Sequence, residues 1–355
     1  MRILVLPGDG IGPEITAATL LVLRAAATRF GLNLEFVEDV VGHASLERHG
    51  TTVRSDLLDQ ARATDGLILG PTATFEFREP EKGLINPSMY FRKGLDLFAN
   101  IRPACTYPGL PSKVGEFDLV VVRENTEGFY ADRNMEQGNA EILVTKDVVV
   151  SMRRITREAC TRIAAAAFKL AMDRKRHVSA VHKANVLKVG DGMFLDECRK
   201  QAALFPEVKL DEFIVDATMA HVVRAPSRFD VIVTTNMFGD ILTDLTAELS
   251  GSIGLGGSLN AGADYAMAQA AHGSAPDIAG KNLANPFSLI LSATQLLSWH
   301  GRKRGEPAFT NAATSIDKAV AAAIAAREIT RDIGGSLGTR ETGEALAARL
   351  TARPQ

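Results

Sequence analysis

The chain has 355 residues, 46% hydrophobic and 23% charged, a balance that excludes wholesale disorder and a length that favours two domains or one large α/β unit. Lys and Arg total 40 against 42 for Asp and Glu, a net charge of −2, so nucleic acid and anionic membranes are poor first guesses as partners. No run approaches the ~18 apolar residues of a membrane span, and the apolar run at 3–6 is too short for a signal peptide. Cys105, Cys160 and Cys198 have neither disulfide-framework nor zinc spacing, which makes a reducing cytoplasm the simplest location.

Taken in chain order, Arg2–Leu6 is predicted as a buried strand and 13–30 as a helix with Pro13 in its first turn. Strands follow at 32–37 and 65–69, the latter stopping at Gly70-Pro71, and a helix is predicted to open at Asn86-Pro87, a capping Asn before Pro. Further strands are predicted at 118–122, 178–181 and 230–234, with helices over 148–172 and 193–204. The alternation implies βαβ units and a largely parallel sheet covered by helices. Pro103, Pro108 and Pro111 mark one chain crossing and the glycine cluster at 251–257 another, as if one domain were inserted into the other.

Four stretches carry candidate chemistry. Pro7-Gly8-Asp9-Gly10-Ile11-Gly12-Pro13-Glu14 is a glycine-rich turn between strand and helix, but its glycines miss the G-x-G-x-x-G spacing and no G-K-[ST] follows. A tight turn needing φ > 0 explains it at least as well as a phosphate cradle. Asp240 and Asp244 lie four apart on a predicted helix, on one face. They either favour the helix dipole or hold a cation, for which Asp216 could supply a third hard oxygen ligand suited to Mg²⁺ or Mn²⁺. Arg92, Arg102 and Arg123 sit beside helix or strand ends, and Arg123 closes the apolar run 119–122, where α/β folds place ligand contacts. Guanidinium forks match carboxylates. Finally, Lys183 in His182-Lys183-Ala184-Asn185-Val186-Leu187-Lys188 follows a strand and is either a salt-bridged surface lysine or, if desolvated, a proton acceptor.

Together with Leu95-Asp96-Leu97-Phe98-Ala99-Asn100-Ile101-Arg102-Pro103 and His272-Gly273-Ser274-Ala275-Pro276-Asp277-Ile278-Ala279-Gly280-Lys281, these stretches occur in an order that resembles the β-decarboxylating dehydrogenases, the family of isopropylmalate, isocitrate, homoisocitrate and tartrate dehydrogenases. The resemblance covers nearly the whole chain. It implies an α/β two-domain fold around a mixed sheet, not a Rossmann fold, with residues 1–100 plus 251–355 as the large domain on the nucleotide side. Residues 101–250 would form the inserted small domain, carrying the dimer interface, the catalytic lysine and the metal ligands. Arg92, Arg102 and Arg123 would clamp the malate carboxylates, Tyr130 would be the general acid and Lys183 the proton-transfer lysine. Asp216, Asp240 and Asp244 would bind Mg²⁺ or Mn²⁺. Lys183 and Asp216 would reach into a neighbouring subunit, giving a homodimer with shared active sites. His272, Gly273, Ala275, Asp277, Ile278 and Asn285, with Asn185, would contact the dinucleotide, and the Asp277-Ile278 pair implies NAD rather than NADP, with Arg340 a nearby positive charge. One departure is Asp132, where the family often has Gly two residues after the tyrosine.

The third substituent of the malate would face Ser88 and Met89, one turn before Arg92, with Ile85 just ahead of the helix. Residues 83–91 contain no basic side chain, so a charged distal group would need Arg78 or Lys82 to fold in. A small or alkyl substituent (isopropylmalate, tartrate, D-malate) therefore ranks slightly above isocitrate or homoisocitrate. Two other classes compete: a metal-dependent phosphotransferase or lyase working through Asp240 and Asp244, and an inactive relative kept as a regulatory subunit.

Overall fold

The computed structural model describes residues 1–130 and 140–352. The chain divides into two compact units: Met1–Leu95 with Tyr107–Pro111 and Gly251–Gln355, and Asp96–Thr106 with Ser112–Ser250. The expected break after residue 100 falls inside the strand Ala99–Cys105, which lies whole in the second unit. That strand pairs along its full length with Asp118–Glu124, so its backbone ties it to one core.

In the first unit five strands run in the order Glu35–Glu38, Arg2–Leu6, Gly66–Leu69, Ala266–Gln269, Leu259–Ala261, the first four parallel and the last antiparallel. Ile3 to Leu6 and Leu67 to Leu69 are buried, as expected of parallel strands covered on both faces. The helices Gly12–Phe30, Phe287–Arg304, Pro307–Ala325 and Thr339–Thr351 belong to this unit. The second strand begins at Glu35, later than the expected 32. Gly31 ends the preceding helix in the left-handed region at φ 64°, and the Leu32 N–H still bonds to Ala27 O.

The glycine-rich turn has a structural use. Its Asp9 and Ile11 N–H groups donate to Pro71 O (2.7 Å) and Ser274 O (2.9 Å), so they serve the fold and not a phosphate. The Asp9 carboxylate accepts from the His43 and Ala73 N–H groups at 2.7 and 2.9 Å. Three loops thus converge on one turn, and Gly8 sits at φ 77° where a Cβ would lie 2.2 Å from Pro71 O.

In the second unit the strand order is Ala99–Cys105, Asp118–Glu124, Val231–Thr234, His177–His182, Lys209–Ile214, the first pair antiparallel and the rest parallel. The uninterrupted apolar run at 119–122 splits by the period of two. Val120 and Val122 pack with Phe168 and Phe194 on one face; Leu119 and Val121 pack with Phe229 and Leu242 on the other. Helices Arg157–Met172 and Gly190–Leu204 supply the first face, and Asn236–Leu249 contributes to the second. The result is an α/β fold with mixed sheets rather than a Rossmann fold.

The predicted helix at 148–172 is corrected. Val148–Ser151 is a strand paired antiparallel with Glu141–Thr145, and the helix starts at Arg157 behind the capping Thr156, whose Oγ1 accepts from the Ala159 N–H. Three consecutive β-branched valines favour the pleated ribbon, and Thr156 supplies the stop the periodicity overlooks.

Gly8→Ala is expected to lower folding stability by at least about 2 kcal/mol, from the left-handed backbone and the crowded Pro71 carbonyl. Urea unfolding measures it, and a loss below about 0.5 kcal/mol would show that the turn can re-form elsewhere.

Candidate active site

In the second unit, Arg123 lies one residue before the end of Asp118–Glu124, and its register partner Thr234 ends the next strand. The helix Asn236–Leu249 starts two residues later, which lays its first turns beside Arg123. Asn236, Asp240 and Asp244 recur every four residues along that helix and so share a face. Arg123 Nε and Nη2 both donate to Asn236 Oδ1, at 3.0 and 2.7 Å, and Nη1 forms an ion pair with Asp240. The Tyr130 hydroxyl donates to the other Asp240 oxygen at 2.7 Å. Arg102 joins from the antiparallel strand: Nε donates to Asn100 Oδ1 (2.8 Å), and Nη1 to Thr243 Oγ1 (2.9 Å) and Asp244 Oδ1 (3.3 Å). Gly239 leaves the room this needs, since a Cβ there would meet Arg123 Cγ at 2.6 Å.

Two guanidiniums and two carboxylates are therefore held in one partly dry cluster, with Arg123 only 2% exposed. Burial brings Arg102 down to a pKa of about 10, and the like charge of Arg123 adds to the effect. Desolvation raises the Asp244 carboxyl; Arg102 opposes that shift and Asp240 reinforces it. Carboxylates four apart on a helix repel each other, and that repulsion is relieved by any cation between them.

Lys183 follows the strand His177–His182, and its Nζ forms an ion pair with Asp216. Asp216 stands in the first turn of the helix Val215–Arg224, not at a strand end as the sequence suggested. The Lys183 hydrogen bond holds its carboxyl below the usual range. The Lys183 backbone N–H donates to Asp191 Oδ2 at 2.6 Å; Asp191 is fully buried, and Arg153 donates to its other oxygen at 2.6 Å. Asn185 is exposed on the turn that follows. Among the described residues no three His, Cys, Asp or Glu side chains are grouped to hold a metal, so within one chain Asp216 does not join Asp240 and Asp244.

In the first unit, Arg92 Nη2 and Ser88 Oγ both donate to Gln269 Oε1, at 2.9 and 3.1 Å. Asn86 caps the helix Pro87–Gly94 by accepting from the Met89 N–H at 3.2 Å, and Met89 is half-buried. Lys82 pairs with Glu79, and the Arg78 guanidinium lies over Phe75. His272, Gly273, Ala275, Asp277 and Ile278 form a single loop in which His272 Nε2 is buried and without a hydrogen-bond partner among the described residues. Burial lowers the His272 pKa, which favours the neutral ring. Asp277 is exposed. Asn285 is engaged by the fold, accepting from the Phe287 N–H and donating to Asp332 Oδ2 at 2.9 Å. Arg340 pairs with Glu341 at 2.9 Å and approaches Glu344 at 3.7 Å. Asp132 lies outside the described residues.

Sequence reasoning missed Asn100, Asn236, Gly239, Gln269 and Asp191. Asn100 and Asn236 had a signal, two residues from Arg102 on a strand and four from Asp240 on a helix. Gln269 had none, being 177 positions from Arg92.

The sequence model of the family described as Isocitrate/isopropylmalate dehydrogenase matches residues 2–346. The chain is 40% identical over 354 residues to the 3-isopropylmalate dehydrogenase of Methanothermobacter thermautotrophicus, covering 99% of this chain and 98% of that protein. It is also 40% identical over 350 residues to the isocitrate/homoisocitrate dehydrogenase of Thermus thermophilus, covering 98% of each. The crystal structure of isocitrate dehydrogenase from Methylococcus capsulatus superposes with a TM-score of 0.87 at 37% identity, covering 99% of both chains.

Gly239→Ala gains about 1 kcal/mol of helix propensity, yet it is expected to lower thermal stability and to shift the Arg123 Nε–H resonance, because the new methyl collides with that side chain. An unchanged resonance with a raised Tm would mean that Arg123 does not lie against this helix in solution.

Proposed function

The chain belongs to the isocitrate/isopropylmalate dehydrogenase family, and from that premise we propose that it oxidatively decarboxylates a 3-substituted malate, with NAD as hydride acceptor and Mg²⁺ or Mn²⁺ bound at the site. The observation that carries the reading is the cluster of Arg102 and Arg123 against Asp240 and Asp244. Four charges that sum to zero match a divalent cation together with a dicarboxylate, which also sum to zero.

Hard carboxylate oxygens at Asp240 and Asp244 suit Mg²⁺ or Mn²⁺, with Asp216 of a second copy as the third ligand. The cation would supply Lewis acidity at the C2 oxygen and counter the enolate charge left when CO₂ departs. Arg102 and Arg123, with Arg92, grip the carboxylates in bidentate fashion. Lys183 takes the proton from the C2 hydroxyl as hydride leaves. Tyr130, whose hydroxyl is already oriented by Asp240, returns a proton at C3.

The loop from His272 to Ile278 would take the adenosine of NAD. The His272 Nε2, buried and without a partner among the described residues, supports this, and so does the exposed Asp277 carboxylate, which would accept from ribose hydroxyls and repel a 2′-phosphate. Arg340 does not offset that repulsion, because Glu341 and Glu344 hold it. Around the variable pocket Asn86 is committed to its cap, Ser88 to Gln269 and Lys82 to Glu79. These commitments favour a small or alkyl substituent, as in 3-isopropylmalate, D-malate or tartrate, over the distal carboxylate of isocitrate. Among the described residues no helix is long and apolar enough to cross a membrane. The three cysteines are free, and that cysteine usage suits a cytoplasmic enzyme.

A homodimer is supported by the hairpin Glu141–Thr145 and Val148–Ser151. Ile142, Leu143, Val144, Val148, Val149 and Val150 are all exposed on it, each by 47% or more. A two-stranded ribbon apolar on both faces is marginal in water alone, and an identical surface on a second copy would cover it.

Mixed with NAD and Mn²⁺, the enzyme is expected to produce NADH from 3-isopropylmalate, D-malate or tartrate faster than from isocitrate, and faster than it produces NADPH from NADP. Faster turnover of isocitrate would move the substrate to that alternative, and silence across the whole panel would contradict the dehydrogenase reading. Leu143→Asp is expected to yield monomers by sedimentation and to abolish turnover, since Lys183 and Asp216 act in the second copy's site. A fully active monomer would overturn the shared site.

A further inference from the structure

The main chain of Lys183 is pinned on both sides. Its N–H donates to Asp191 Oδ2 at 2.6 Å, and its carbonyl accepts from the Val186 and Leu187 N–H groups at 2.9 and 2.8 Å. A lysine stem is flexible, so this anchor sets the point from which the ammonium reaches. Asp191 is the second residue of the helix Gly190–Leu204, where an acid ordinarily serves the helix dipole from the surface. Here it is fully buried, and among the described residues its hydrogen bonds go to the Lys183 N–H and to Arg153 Nη2, at 2.6 Å each. Burying a carboxylate is costly unless it is paired, and Arg153, itself 11% exposed, is the pair.

The same guanidinium reaches the other groups assigned to the chemistry. Arg153 Nη2 also donates to Thr235 Oγ1 at 3.3 Å, just before the helix Asn236–Leu249 that carries Asp240 and Asp244. Its charge lies 5.9 Å from the ring centroids of both Phe238, on that helix, and Phe129, the neighbour of Tyr130. Three separate segments of the chain therefore meet at one arginine, and all of them belong to the second unit. They are the segments of the proposed proton acceptor, the proposed acid and two proposed cation ligands. Placement matters at that level, because a displacement of about 1 Å can lower a rate by about a hundredfold.

The unit also holds a near-copy of this ion pair away from those groups. Asp230, 1% exposed, accepts from Arg174 Nε at 2.7 Å and from the Lys175 N–H at 2.9 Å. Asp230 precedes the strand Val231–Thr234 and Thr235 follows it, so the two pairs stand at opposite ends of one strand. The other partner of Arg174 is Asp118, which has no assigned role.

We propose that Arg153 and Asp191 are positioning residues for the reaction. Asp191 fixes the main chain from which Lys183 reaches, and Arg153 ties that anchor to the segments carrying Tyr130, Asp240 and Asp244. This rests on the dehydrogenase reading above.

The test sets Asp191→Asn and Arg153→Lys beside the matched controls Asp230→Asn and Arg174→Lys. Steady-state kinetics use whichever malate the wild-type enzyme oxidises with NAD and Mn²⁺, well below the Tm recorded for each variant, and the kcat isotope effect is read with the C2-deuterated substrate. All four variants are expected to lose Tm. Asp191→Asn and Arg153→Lys are expected to lower kcat about tenfold or more, with KM for malate and NAD within about threefold and an isotope effect no smaller than the wild type's. The controls keep wild-type kcat. Thr235→Val leaves the ion pair and the side-chain volume in place, so it tests the tie even where another variant fails to fold; its kcat is expected to fall about threefold. Wild-type kcat in folded Asp191→Asn or Arg153→Lys, or in Thr235→Val, would overturn the proposal while leaving the dehydrogenase reading in place. So would an equal loss in the controls or a reduced isotope effect, which assign the pair to folding or to product release. A wild-type enzyme that oxidises no malate would overturn both.

Discussion

Arg123 is a cation with only 2% of its side chain exposed, and the second unit is arranged around that fact. A guanidinium taken out of water costs several kcal/mol unless its donors are met and its charge is answered. Asn236 meets the inner donors, Asp240 answers the charge, and Gly239 gives up a side chain so that the arginine stem can lie along the helix. Tyr130 is fixed by the same carboxylate that pairs with Arg123, so the proposed acid and the proposed clamp share one anchor.

With nothing bound, Asp240 and Asp244 balance Arg102 and Arg123. On the proposed function, a divalent cation that drew the carboxylates would leave the guanidiniums a net positive field for a dicarboxylate to answer. Neither ligand alone leaves the cluster neutral. Cation and substrate are therefore expected to bind as a coupled pair, with the coupling set by local electrostatics in a partly desolvated site.

Much of this was legible in the sequence where chemistry follows local period. The apolar run ahead of Arg123 announced a strand covered on both faces, and the spacing from Asp240 to Asp244 placed two carboxylates on one helix face. The same reasoning extends to Asn236 and to Asn100, one period away from residues already singled out. It does not reach Gln269, whose partner is brought to it only by the fold, nor Asp191, whose importance lies in burial that no local pattern reveals. The glycine-rich turn showed the opposite hazard. Its composition suggested a phosphate, and only the tertiary partners of the Asp9 and Ile11 N–H groups show that the donors serve the fold. The hairpin was lost because three valines continued an apolar pattern into the following helix, although their branching favours a strand.

Calorimetric titration of Mn²⁺ into the protein, with and without an oxidisable malate and in the absence of NAD, reads the central electrostatic claim directly. The account predicts that malate tightens Mn²⁺ binding at least tenfold, that Mn²⁺ tightens malate by the same factor, and that Asp240→Asn removes the coupling. Mn²⁺ and malate binding independently, or coupling that survives in Asp240→Asn, would contradict it.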